Sequence, residues 1–338
     1  MNILVTGGAG FIGSHTVVEL LSAGHTPIIL DNFSHSHKSV LDGIKKITNV
    51  DVVVSRGDAT DPYTLNELFS QYQIDGIIHF AAYKAVGESI EKPLRYWQNN
   101  IGSLLAILQM AQSHHVQSFV FSSSATIYGE PDFLPIPETA PRKPATSPYG
   151  STKQSGEDLL HDTVTAPDSF LKGISLRYFN PIGAHPSGLI GELPIGTPQN
   201  LVPFVTQTAA GIREKITIFG NNYDTPDGTC LRDYIHVIDL AKAHIQALEY
   251  LLKPDANQYD VFNIGTGTST SVLDIIKTFE HVNATSVPYE IGERRKGDVV
   301  QCYADPSKAN ATLKWKSRHT LEEALRDAWN WQRRLGKK

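Results

Sequence analysis

The sequence predicts an α/β fold: a doubly wound parallel sheet followed by a smaller C-terminal α/β lobe. Three observations carry that expectation. Short apolar runs alternate with helix-length segments through the first half, a glycine-rich turn follows the first run directly, and the texture changes after about residue 180. Parallel neighbours need a crossover connection, usually a helix, and strands covered on both faces read as continuous apolar runs. The runs at 3–5, 28–30, 52–54, 76–80 and 119–121 are therefore expected strands, with crossover helices between them. From 180 to 203 glycine and proline make the chain loop-like, and shorter elements come after it. Helical periodicity returns at 237–252, 272–281 and 321–335, the last amphipathic and carrying Trp329 and Trp331.

The 338 residues fit about two domains, or one domain with an elaborated C-terminal part. A composition 41% hydrophobic and 19% charged is that of an ordinary globular protein, and 30 basic against 35 acidic residues leave no cationic footprint for nucleic acid. Cys230 and Cys302 are too few for a disulfide framework and lack metal-ligand spacing. His35 with His37, and His114 with His115, lack the i, i+4 pairing of helical ligands, so no metal site is expected. The apolar stretch before Gly7 is too short for a signal peptide and no run reaches transmembrane length. A cytosolic protein is the expectation.

The turn after the first strand, Gly7-Gly8-Ala9-Gly10-Phe11-Ile12-Gly13, places glycines at 7, 10 and 13 ahead of an amphipathic helix running to about Ala23. Glycine allows the tight turn and the close approach of backbone to a pyrophosphate, while the helix N-terminus offers free N–H groups and a positive dipole end. A glycine triplet alone also fits an ordinary strand-to-helix turn; its place in an alternating strand–helix pattern makes it the dinucleotide loop of a Rossmann domain. Asp31, eighteen positions beyond Gly13 and ending the second strand, can accept both adenine-ribose hydroxyls and repel a 2′-phosphate, which favours NAD over NADP. Asp58, after the third strand, is either an adenine contact or a solvated loop aspartate.

The fifth strand leads into Ser122-Ser123-Ser124-Ala125-Thr126, and further on Tyr149 and Lys153 stand four apart on a helix that Pro148 starts. Ligands bind at the carboxyl ends of such strands. An ammonium beside a phenol, with a cationic nicotinamide nearby, should lower the phenol pKa from about 10 toward working pH and make Tyr149 a usable base. Lys153 can also bind the nicotinamide ribose. A core tyrosine beside a surface lysine is the plain alternative, since this spacing is common by chance.

At this point the chain resembles the extended short-chain dehydrogenase/reductase superfamily and, within it, the UDP-glucose 4-epimerase family, over nearly its whole length. The resemblance is carried by Leu4-Val5-Thr6 with the turn through Gly13-Ser14-His15, by His79-Phe80-Ala81-Ala82 and Lys84-Ala85-Val86-Gly87-Glu88-Ser89, and by 122–129. It continues in Arg177-Tyr178-Phe179-Asn180-Pro181, Gly183-Ala184-His185-Pro186, Asp227-Gly228-Thr229 and Arg232-Asp233-Tyr234-Ile235-His236-Val237. It implies reversible inversion of C4 in UDP-hexoses through a 4-keto sugar with tightly bound NAD. Tyr149 would be the base, Ser124 would hydrogen-bond the 4-oxygen and relay the proton, and Lys153 would tune Tyr149 and the nicotinamide.

The same resemblance implies cofactor contacts from Gly7, Gly10, Phe11, Ile12, Gly13, Asp31, Asn32, Asp58, Ala59, Phe80, Ala81, Ala82, Lys84, Asn99, Tyr178 and Phe179, beside the catalytic three. Substrate contacts are implied for Asn180, Asn200, Leu201, Phe219, Arg232, Tyr234, Arg295, Asp298 and Cys302, beside Ser124 and Tyr149. Two arginines suit a diphosphate, although either alone would pass for a solvated surface charge. UDP must be held strongly and the hexose weakly, because a clamped sugar could not turn over. The implied division is an NAD-binding Rossmann domain at 1–180 and a UDP-sugar-binding lobe at 181–338, some of whose segments return to the first domain.

Departures narrow the reading. Dehydratases of the superfamily carry an acidic pair directly after the position of Ser124; Ala125 and Thr126 cannot act as acid or base, so dehydration is disfavoured. Many bacterial epimerases have a tyrosine where Cys302 stands, beside the sugar's C2 substituent. A cysteine leaves room for an N-acetyl group, so both UDP-glucose/UDP-galactose and UDP-GlcNAc/UDP-GalNAc are expected substrates, unless Cys302 is simply a small packing residue. Trp97, Ile101, Leu104 and Leu108 form one apolar stripe at helical spacing, which is either a homodimer face, shared with the helix of Lys153 as in related epimerases, or packing against the sheet. Two other functions stay open: a net oxidoreductase of the same fold, and an NAD-sensing protein without chemistry. A sensor needs none of Ser124, Tyr149 and Lys153, and an epimerase needs no added cofactor.

Overall fold

The structure, a computed structural model, describes residues 1–295 and 298–336. The first five strands form at the apolar runs: β1 (Asn2–Thr6), β2 (Thr26–Asp31), β3 (Val53–Arg56), β4 (Gly76–His79) and β5 (Ser118–Ser124). Between them run α1 (Phe11–Ser22), α2 (Ser39–Thr48) and α3 (Pro62–Gln71), then α4 (Val86–Glu91), α5 (Pro93–Tyr96), a π-turn at Trp97–Ile101 and α6 (Gly102–Ser113). A 3-10 turn (Ala125–Tyr128) leads to α7 (Pro148–Thr165), β6 (Lys172–Tyr178), β7 (Asn180–Ile182), α8 (Leu201–Ala209), β8 (Ile216–Phe219), β9 (Leu231–Arg232) and β10 (Tyr234–His236). The chain ends through α9 (Val237–Leu251), β11 (Tyr259–Ile264), β12 (Thr270–Ser271), α10 (Val272–Asn283), β13 (Tyr289–Gly292), β14 (Gln301–Cys302), α11 (Ser307–Thr312) and α12 (Leu321–Leu335).

Seven strands make one sheet in the order β11-β6-β5-β4-β1-β2-β3, with every neighbouring pair parallel. Strand order reverses between β1 and β4, and the carboxyl ends of strands open a crevice at such a reversal. Two segments beyond residue 180 belong to this sheet: β11 pairs with β6 from Tyr259↔Gly173 to Ile264↔Tyr178, and α9 packs against α1.

Apolar layers cover both faces. Val17 and Leu20 of α1, Ile44 of α2 and Leu240 and Leu248 of α9 fill one; Leu65 and Phe69 of α3, Leu104 and Leu108 of α6 and Leu160 of α7 fill the other. Each such side chain contributes about 1.5–3 kcal/mol by leaving water. A third cluster, with Val205 of α8, Ile218 of β8, Phe279 of α10 and Leu325 of α12, is the core of the smaller lobe. The start of α12 is fixed by a capping box, Thr320 and Glu323 each bonding the other's backbone N–H.

Two expectations shift. The third strand runs on to Arg56, past its apolar run, because backbone pairing of Asp31↔Arg56 does not depend on side-chain polarity. The stripe of Trp97, Ile101, Leu104 and Leu108 is not one outward face: a π-turn interrupts the helix, and Leu104 and Leu108 lie fully inside the sheet-side core. The exposed apolar side chains of that region are instead Ile90, Leu94, Trp97 and Leu105. Among the described residues no helix is long and apolar enough to cross a membrane.

Candidate active site

At the strand-order reversal, the turn after β1 passes against the end of β4. Gly7 has φ +69, and a Cβ there would stand 3.0 Å from the Ala81 nitrogen; a Cβ on Gly13 would stand 2.3 Å from the Gly7 oxygen. Only glycine lets these backbones meet. Thr6 Oγ1 accepts the Ala81 N–H at 3.2 Å and lies 2.9 Å from His79 Nδ1. Burial drives the His79 pKa down to about 3, so its imidazole is neutral and shares one hydrogen bond with the threonine hydroxyl. Gly10 caps α1 without any side-chain bond, which leaves the first-turn N–H groups for a ligand.

The acidic positions are tied into the loops around this turn. Asp31 accepts the Ala9 N–H at 3.0 Å on one oxygen, and the Phe33 N–H at 2.8 Å and Ser36 hydroxyl at 2.9 Å on the other. Asp58 accepts Thr60 twice and the Asn32 amide at 2.9 Å; burial would raise its pKa, but these bonds outweigh it and hold the carboxylate below its ordinary value.

Ser147 accepts the Gly150 N–H at 3.2 Å and so starts α7, whose one face presents Tyr149, Lys153 and Glu157 to β5. Lys153 is 4% exposed. Its Nζ donates to the Ser122 carbonyl at 2.5 Å and lies 4.9 Å over the Phe121 ring. Burial lowers the Lys153 pKa to about 7, opposed by the Glu157 carboxylate. Glu157 in turn is held by Arg177, with Nε–Oε1 at 2.8 Å and Nη2–Oε2 at 2.6 Å, and by the Ser123 hydroxyl at 2.5 Å. Ser124 Oγ accepts both the Thr126 N–H at 3.2 Å and the Thr126 hydroxyl at 3.0 Å, so its own proton is free to donate.

One electrostatic expectation is corrected. Burial raises the half-buried Tyr149 phenol above its ordinary value, and the neighbouring Ser124 hydroxyl only partly pulls it back. The Lys153 ammonium, directed at the Ser122 carbonyl and 5.9 Å from the Tyr149 ring centroid, does not reverse that rise.

A cleft of about 480 Å³, of ordinary ligand-site size, joins Gly7, Gly10, Phe11, Ile12, Gly13, Asp31, Asn32, Asp58, Ala59, Phe80, Ala81, Ala82, Lys84, Asn99, Tyr149, Lys153 and Tyr178 to Asn200 and Arg295. Ser124, Phe179, Asn180, Leu201, Phe219, Arg232, Tyr234, Asp298 and Cys302 are not among its lining residues. Several of these group beside it. Arg232 Nη2 lies 3.5 Å from Asp298 Oδ1, Cys302 pairs with Arg232 across β14 and β9, and the Arg295 guanidinium covers the Phe219 ring at 4.3 Å. Cys302 packs on the cluster containing Ala125 and Phe179, and burial pushes its thiol up to about 11. Leu201 opens α8 behind Asn200, Asn180 is exposed at the start of β7, and Tyr234 is buried in the core of the smaller lobe.

Three residues of this region were not visible in the sequence as site residues. Ser122 holds Lys153 through its carbonyl and bonds the Tyr178 hydroxyl through its own hydroxyl. Glu157, four residues after Lys153 on the same helix face, carried a usable signal. Glu192 carried none, because it lies in aperiodic loop.

A family model described as GDP-mannose 4,6 dehydratase matches residues 4–328. The chain is 48% identical to the UDP-glucose 4-epimerase of Bacillus subtilis over 332 residues, 98% of this chain and 97% of that one. A solved UDP-glucose-4-epimerase from Stenotrophomonas maltophila with bound NAD and formylated UDP-arabinopyranose superposes with a TM-score of 0.96 at 46% identity, covering 100% of this chain and 99% of that one. One from Bifidobacterium longum, in complex with NAD+ and UDP, gives a TM-score of 0.94 at 44% identity over 99% and 98% of the two chains.

Proposed function

Because the chain belongs to the UDP-glucose 4-epimerase family, we propose that it interconverts UDP-glucose and UDP-galactose by inverting C4 through a transient 4-keto sugar, with NAD as its resident cofactor. The observation that carries this reading is the placement of Tyr149 and Lys153 in the same cleft as the glycine turn of β1, with the free Ser124 hydroxyl beside the phenol.

The residues fit NAD. The uncapped α1 N-terminus and the glycine crossing of Ala81 suit a pyrophosphate, and a carboxylate at Asp31 suits ribose hydroxyls. NAD supplies an electron-pair acceptor and a positive charge when bound. Tyr149 takes the proton of the 4-hydroxyl as C4 becomes a ketone and returns it once the sugar has presented its other face. Ser124 donates to the 4-oxygen. Burial disfavours the charged forms of both Tyr149 and Lys153, and a charged Lys153 is assigned to stabilise the phenolate as the proton moves. Arg232 and Arg295 are assigned to the UDP diphosphate, with Asn180, Asn200, Leu201, Phe219 and Asp298 around them. Dehydration is not assigned, since Ala125 offers no acid and Thr126 spends its hydroxyl on Ser124.

The small side chain of Cys302 is what supports UDP-GlcNAc and UDP-GalNAc as further substrates, whereas its packing on the cluster of Ala125 and Phe179, outside the cleft lining, is what a plain packing role predicts. The exposed Ile90, Leu94, Trp97 and Leu105 support a homodimer, and two unpaired cysteines support a cytosolic setting. Residues 1–180 are assigned to the NAD-binding domain together with α9 and β11, and the remainder to the UDP-sugar lobe.

Purified protein given UDP-galactose and no added NAD should form UDP-glucose, and heat-denatured protein should release NAD. Tyr149→Phe should lower turnover by about 100-fold or more while retaining the cofactor. Unchanged turnover in that variant would remove Tyr149 from its role.

A further inference from the structure

Building on that reading, we propose that Glu192 is a positioning residue that links two segments of the cleft lining through one carboxylate oxygen, competing with the dinucleotide for Lys84 while orienting Asn200 for the nucleotide sugar. Glu192 Oε1 accepts from Lys84 Nζ at 3.0 Å and from Asn200 Nδ2 at 2.6 Å. The two donors come from different segments of the cleft lining. Lys84 follows β4 beside Phe80 to Ala82, and Asn200 is the residue from which α8 begins.

The carboxylate is a fixed point between two adjustable partners. Ile190 is fully buried in the sheet-side core and its carbonyl accepts the His185 N–H at 3.1 Å. Gly191 bridges to Ala184 and lies so close under Trp331 that a Cβ there would stand 2.5 Å from the ring. The Glu192 carbonyl accepts Trp331 Nε1–H at 2.9 Å. The Glu192 side chain is 13% exposed, against 57% for Lys84. Asparagine at a helix start ordinarily bonds the first-turn N–H groups. Asn200 makes no such bond, and its amide is committed to Glu192.

A carboxylate in a cleft for two diphosphates repels both ligands unless a cation neutralises it. Pairing with Lys84 neutralises it and at the same time withholds that ammonium from an anionic ligand. Cofactor retention and Asn200 placement therefore meet at one atom. Glu192→Gln separates them, since the amide oxygen still accepts from Asn200 while the competing charge is gone.

The test uses the NAD-loaded enzyme. NAD is followed as it leaves the diluted protein, and KM and kcat for UDP-galactose are measured alongside. Glu192→Gln should release NAD more slowly than the parent, by about 5-fold or more, with KM within about 2-fold. Glu192→Ala should raise KM by about 10-fold and leave kcat nearly unchanged, because Asn200 loses its partner. In a Lys84→Met background, Glu192→Gln should no longer alter NAD release, which a merely structural role would not require. Release from Glu192→Gln at or above the parent's rate overturns the inference, as does a Glu192→Gln effect that persists without Lys84. Should Glu192→Ala fail to fold, the near-isosteric glutamine variant decides alone. A parent protein that holds no NAD would instead overturn the functional reading beneath it.

Discussion

Tyr149 and Lys153 show how far a spacing can be read. Their separation and the proline before them place both on one helix face, and that was legible from the sequence. Their charge states were not, because those depend on how deeply α7 sinks onto β5. The folded Lys153 pKa of about 7 lies below the ordinary 10.5, so the unfolded chain holds this proton more tightly. Burying the ammonium therefore costs most below pH 7, and the cost fades as pH rises from 7 through 10. At about 1.4 kcal/mol per unit the cost reaches ~5 kcal/mol, and losing the bond to the Ser122 carbonyl returns about 1–3 kcal/mol of it. Lys153→Met should accordingly melt at higher temperature than the parent at pH 6, with the gap shrinking toward pH 10, while its turnover falls. A melting difference that does not change with pH would contradict a buried ammonium. Cys302 is a second residue at which a proposal can be tested by one substitution. Cys302→Tyr should abolish turnover of UDP-GlcNAc while sparing UDP-galactose, and a parent that ignores UDP-GlcNAc would refute the assignment.

Elements with a strong period were legible nearly to the residue. The helix expected at 321–335 is α12, because its amphipathic face and Thr320 cap both speak locally. The helix expected at 237–252 is α9, all but its last residue. Two-residue strands such as β9, β12 and β14 leave no period to read and exist only through their pairing. The segment from α4 to α6 misled for a different reason: a π-turn at Trp97–Ile101 rotates α6 relative to α5, so spacing counted through it joins residues that face different ways. The face left outside carries Leu94 at 80% exposure. Leu94→Glu should shift the particle from dimer to monomer in light scattering with little change in melting temperature. A parent that is already monomeric would rule out the dimer.

At the scale of the molecule, the crevice was foreseeable from the glycine turn alone, since strand order in a doubly wound sheet reverses beside the first strand. Which later segments rejoin the sheet was not, because nothing local in 259–264 says that it will pair with β6 rather than within the second lobe. Glu192 belongs to the same class: its backbone is set by Trp331, 139 positions away. The whole arrangement asks one thing of the chemistry, that hydrogen leaving C4 comes back to C4 without entering water. UDP-glucose deuterated at C4, incubated with the enzyme and no added NAD, measures this directly. The UDP-galactose formed should keep its deuterium at C4; deuterium lost to solvent, or product formed only when NAD is supplied, would contradict the account.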